Sequence, residues 1–140
     1  MTDLTPKTYV VYRASTPIAV DGHLNDGPWK SAPWTDLFVD IEGDAKPLPR
    51  FATRAIMLWD DDYFYFAADM EEPHVWATLT ARDAVIFKDN DFEIFLDPDG
   101  DTHNYYELEV NAFETEWDLI LLKPYHDQSK VAVDSWDIPG

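Results

Sequence analysis

The chain contains no cysteine, which excludes disulfides, thiolate metal sites and cysteine nucleophiles while leaving the compartment open. Its five glycines do not cluster, so it has no glycine-rich phosphate loop. Its four serines form no G-x-S-x-G elbow, so a hydrolase built on that turn is excluded. Bases are scarce: ten Lys and Arg stand against 28 Asp and Glu, for a formal charge of −18. A surface this acidic repels phosphate backbones and anionic headgroups, so neither nucleic acid nor a membrane is an expected partner. No run approaches the roughly 20 apolar residues of a membrane span. The opening MTDLTPKTYVVY lacks the basic and apolar regions of a signal peptide, so none is expected there.

What the chain does have is aromatic. Of 140 residues, 46 % are hydrophobic, with six Trp, seven Tyr and eight Phe. That is enough apolar surface for a packed core despite the charge, and the length suits one domain spanning residues 1–140. The acid is uneven: the charge is −2 over residues 1–50, −9 over 51–100 and −7 over 101–140. Most of it therefore lies where the strand patterns are strongest.

Those patterns are β throughout. Residues 51–59 (FATRAIMLW) and 63–70 (YFYFAADM) are apolar runs separated by Asp60-Asp61-Asp62, which predicts a hairpin. Residues 92–96 (FEIFL) lead into a long turn at Asp97-Pro98-Asp99-Gly100-Asp101, followed by strands over 105–113 and 115–122. Within 105–113, Tyr106, Leu108, Val110 and Ala112 alternate with Tyr105, Glu107, Glu109, Asn111 and Phe113. A period of two puts the two glutamates and the amide on one face. Residues 78–87 are the segment expected to carry a helical turn, and the tail beyond Lys123 reads as loop around Ser135-Trp136-Asp137-Ile138. The economical architecture is an all-β, antiparallel β-sandwich of jelly-roll type. Five to seven strands leave little to close two sheets, so the sandwich is expected to be incomplete at its C-terminus.

Three chemistries follow from the residue types. Asp97, Asp99 and Asp101 alternate as at the start of an EF-hand loop, and Asp89, Asn90 and Asp91 add oxygens nearby, which suits calcium. The glycine and the twelfth-position ligand of that motif are not matched, and a solvated hairpin turn accounts for the same residues. His23, His74, His103 and His126 are scattered without zinc-ligand spacing. Paired carboxylates among Glu93, Glu107 and Glu109 are the residue type of a glycoside hydrolase, although 28 acids make pairs by chance. The third chemistry is sugar recognition, in which flat rings stack on the sugar face while carboxylates and amides hold hydroxyls. Trp76, Phe87, Glu93, Glu109, Asn111 and Trp117 supply those types. Most of the 21 aromatics must be core, and Trp59 reads as structural.

Four segments, in order, resemble family 9 carbohydrate-binding modules. They are residues 20–26 (VDGHLND) with Trp29, residues 58–65 (LWDDDYFY), residues 90–97 (NDFEIFLD) and residues 105–111 (YYELEVN). The resemblance implies a sugar-binding β-sandwich carrying structural calcium, appended to a secreted polysaccharide-degrading enzyme, hence extracellular or periplasmic. Its ligand would be an oligo- or polysaccharide, with an attached catalytic domain as partner. In such modules two aromatic rings sandwich a sugar, and a Glu, an Arg and amides bond its hydroxyls. By position, Glu93 matches that Glu, Phe87 stands at the first ring, and Glu109 replaces the arginine, reversing the charge. The family pattern also continues beyond the equivalent of Gly140, which again implies a clipped sandwich.

A different class remains open beside these: a haem-binding electron-transfer β-sandwich using Met57 or Met70 with His74. Methionines packed as core filler account for the same residues.

Overall fold

A computed structural model describes residues 7–25, 27–125 and 131–138 of the chain. The chain divides into two units, Met1–Pro73 and His74–Gly140, and each builds one sheet. In the first, β1 (Tyr12–Arg13) runs parallel to β2 (Thr53–Trp59), and β2 pairs antiparallel with β3 (Phe64–Met70). The hairpin turn is tied by Asp60, whose carboxylate accepts from the Asp62 and Tyr63 amides and from the Tyr65 hydroxyl. Those donors favour its charged form and lower its pKa. Period two sends Ile56 and Leu58 inward, where they bury against Trp29, with Ile18, Leu24, Trp34 and Tyr65 around them.

The second unit holds β4 (Asp91–Leu96), β5 (Tyr105–Asn111), β6 (Glu116–Leu121) and β7 (Ala132–Val133), all antiparallel and in that spatial order. Ile86, Leu119 and Leu121 are its fully buried apolar side chains. On β5 the polar face is the buried one: Glu107, Glu109 and Asn111 are 4 %, 2 % and 6 % exposed. The chain is therefore all-β with two antiparallel-rich sheets, consistent with the expected sandwich class.

Two local expectations need correction. The tail is not wholly loop, because Ala132 and Val133 pair with Leu121 and Ile120; two residues are too few to leave a periodic signal. The helical turn expected in residues 78–87 is present only at the segment's end, as a 3-10 turn over Ile86–Lys88. The Thr78 and Leu79 amides are instead taken by the Asp89 carboxylate, at 2.8 Å each. Two further 3-10 turns, Gly27–Ser31 and Gly43–Ala45, lie in the first unit. Among the described residues no helix is long and apolar enough to cross a membrane.

Candidate functional site

Strand pairing in the second unit sets the site. Glu93 lies opposite Glu109, which lies opposite Trp117. One row along, Phe95 lies opposite Glu107, which lies opposite Leu119. Directly opposed residues share a sheet face, so two rows of carboxylate and ring stand side by side. With Phe87 from the 3-10 turn and Tyr125 from beyond β6, they line a cavity of about 430 Å³.

The carboxylates are built in. Glu109 accepts the Phe87 backbone N–H at 2.9 Å, which fixes the turn that carries the Phe87 ring. That ring is 58 % exposed, and its centroid lies 5.9 Å from that of Trp117 at an interplanar angle of 40°. Glu107 accepts the Tyr125 hydroxyl. Burial, with the negative charges of Glu93, Asp91 and Glu107, pushes Glu109 up to about 8. Burial also raises Glu107, with Glu93 adding to it, and burial followed by the Glu93 charge raises Asp91 to about 6. Asp91, Glu93 and Glu109 each offer an oxygen within 4.8 Å of the others. Asp91 Oδ2 is buried without a hydrogen-bond partner.

Of the residues expected to bind a ligand, the cavity brings together Phe87, Glu93, Glu109 and Trp117. Trp76 is 48 % exposed and is not among the lining residues. Asn111 spends its amide within the chain: its Nδ2 donates to the Leu79 carbonyl and Asp89, and its Oδ1 accepts from the Phe113 and Thr115 amides. Asp89 is the hub of that region. Burial would raise its pKa, but donors from Leu79, Thr78 and Asn111 lower it overall. The cavity also includes Phe95 and Tyr125, which sequence reasoning missed. Phe95 shares a face with Glu93 by period two, so a signal existed for it; Tyr125 lies outside any strand and had none.

Two further carboxylate groups form. Asp97, Asp99 and Asp101 bring oxygens within 4.8 Å of one another. Their turn is held by side-chain acceptors: Asp97 takes the Gly100 and Thr102 amides, and Asp101 takes the His103 amide. Asp83, Asp118 and Asp137 form the other group, with Arg82 donating to Asp118 at 2.8 Å and to Asp137 at 3.3 Å. The three groups consist of carboxylates alone. His126 lies outside the described residues. Met57 sits within β2, Met70 ends β3, and His74 is exposed.

The first unit has a cavity of about 460 Å³ beside Tyr9, Trp34 and Phe38. Its charges are already engaged, since Lys7 pairs with Asp36 at 3.0 Å; outside the lining, Arg54 lies over Trp34 while bonding Asp69. The cavity of the second unit is the one where rings meet several carboxylates. Rings that present a face, beside the exposed carboxylate of Glu93, are the complement of a polyhydroxylated ring.

A family model described as carbohydrate family 9 binding domain-like matches residues 20–130. No curated protein and no solved structure matches the chain.

Proposed function

Since the chain belongs to the carbohydrate family 9 binding domain-like family, we propose that it binds a saccharide, without catalysis, in the cavity of its second unit. The sugar ring lies against Phe87 and Trp117, and its hydroxyls donate to the exposed Glu93, while the buried Glu109 holds the Phe87 turn from behind. The observation that carries this reading is the pair of rings 5.9 Å apart beside the opposed Glu93 and Glu109. Titration calorimetry with cellobiose, xylobiose and the β-1,4-linked glucosamine dimer tests it. Heat that saturates with one site, at an affinity weakened in Phe87→Ala, is expected; no heat from any of them at millimolar concentration would sink the proposal.

We further propose a structural calcium ion at Asp97, Asp99 and Asp101. Their convergent oxygens are the hard donors that cation takes.

One observation favours a second reading, glycoside hydrolysis: Glu109, raised to about 8, stands opposite Glu93, as a general acid stands beside a carboxylate nucleophile. Release of nitrophenol from aryl glycosides, abolished in Glu109→Gln, would establish it over simple binding.

A further inference from the structure

The cavity of the second unit has a polar end and an apolar end. One row of the sheet carries Glu93 and Trp117, which bring an exposed carboxylate and an indole N–H. The next row lies two strand residues further on, about 7 Å away, and carries Phe95 and Leu119. Ala132, opposite Leu121, extends the apolar end of the same cavity. Glu107, between Phe95 and Leu119, is buried and already takes the Tyr125 hydroxyl. Buried Glu109 takes the Phe87 amide in the same way. Among the described lining residues none is a Lys, Arg, His, Asn, Gln, Ser or Thr. A ligand hydroxyl at the apolar end therefore finds no ready partner, and a polar group buried without one is costly.

We propose that the saccharide taken here is a 6-deoxyhexose, a neutral sugar that carries a methyl group at C5. Its vicinal hydroxyls face Glu93, its ring lies against Phe87 and Trp117, and its methyl group enters between Phe95, Leu119 and Ala132. The inference rests on the saccharide reading of this cavity and deepens it to a ligand class. The spacing of the two rows carries it: vicinal hydroxyls and the C5 substituent stand on opposite edges of one pyranose ring. A ring anchored at Glu93 thus delivers that substituent to the Phe95 row. A hydroxymethyl group would bring a hydroxyl to a place without a partner for it. A carboxylate would bring charge where no cation lines the cavity and Glu93 and Glu107 stand near. A methyl group needs no partner, and it covers the half-exposed ring of Phe95.

The test compares methyl β-glycosides that differ only at C5, in the gluco and the galacto series. The substituent is methyl in the 6-deoxy sugar, hydroxymethyl in the parent hexose, hydrogen in the pentose and carboxylate in the uronate. Affinities are measured by NMR titration of the full chain. In the series that binds, the 6-deoxy sugar is expected to bind about tenfold tighter than the parent hexose. It is expected to exceed the pentose by about threefold, the worth of one buried methyl group, with the uronate weakest. Phe95→Ala lets water reach the apolar end and should bring the 6-deoxy and parent sugars to equal affinity. An unchanged preference in that variant overturns the placement of the methyl group. Should the variant not fold, the ranking in the wild type still decides. A parent hexose, pentose or uronate that binds as tightly as the 6-deoxy sugar overturns the inference while leaving saccharide binding intact. Binding of no sugar in either series removes the saccharide reading itself.

Discussion

Glu109 holds the backbone of Phe87: the N–H of Phe87 donates to the buried glutamate at 2.9 Å. The residue that stands where the family resemblance puts an arginine is thus also the anchor of the turn that presents the ring. In the proposed site one carboxylate serves both the ring and the fold, and a substitution at Glu109 must be judged on both.

Phe87→Ala removes the exposed ring and leaves the backbone bond to Glu109. Loss of an anchoring aromatic typically costs about 1–3 kcal/mol of binding energy. Calorimetry is expected to record that loss with little change in melting temperature, because the ring is 58 % exposed. Unchanged affinity would remove Phe87 from the site.

Stability should fall as pH rises. Glu109 and Asp91 titrate in the folded chain at about 8 and about 6, above the usual carboxylate values. The folded state then holds protons that the unfolded chain has already released. The stabilisation is complete below about pH 4 and is lost as pH climbs through 6 and then 8. Melting temperature measured from pH 5 to pH 9 is expected to decline, and Glu109→Gln should flatten the upper part of that decline. A wild-type curve that rises over this range contradicts the assignment.

Asn111 makes its four hydrogen bonds inside the chain and is 6 % exposed. Asn111→Ala leaves buried donors and acceptors without partners, at about 1–3 kcal/mol each. Urea unfolding should show a loss of about 3 kcal/mol, read as a lower midpoint at an unchanged slope. A loss below about 1 kcal/mol would mean that solvent replaces those bonds.

Calcium should stabilise the fold if Asp97, Asp99 and Asp101 bind it. A ligand at a hundredfold excess over its Kd adds about 2.7 kcal/mol. The expected result is a higher melting temperature with calcium, reversed by chelator. Asp99→Asn combined with Asp101→Asn should abolish the effect; both side chains are exposed or nearly so, and Asp97 keeps the turn's amide bonds. No shift with calcium in the wild type rejects that site.

Some of this was legible in the residues. Asp60-Asp61-Asp62 between two apolar runs gave away the β2–β3 hairpin, and alternation along β5 put Glu107, Glu109 and Asn111 on one face. The same alternation did not reveal that this polar face is the buried one. That depends on what covers it: the turn carrying Phe87 bonds to Glu109, and Tyr125 closes over Glu107. Such contacts join residues 18 and 22 positions apart, and local periodicity holds no record of them. Asn111, a sugar-contact candidate by residue type, makes its bonds to the 78–89 segment and its own turn because Asp89 draws that segment against β5. Trp76 shows the opposite case, a residue of the right type on a segment that does not reach the cavity.

The most direct test of the central claim is an NMR titration of ¹⁵N-labelled protein with the glucosamine and cellobiose dimers. Saccharide binding in the second unit predicts saturating shifts of the Trp117 indole and the Phe87 amide, with Trp34 in the first unit unmoved. Shifts centred on Trp34, or no shift at Trp117 and Phe87 at saturating sugar, would contradict it.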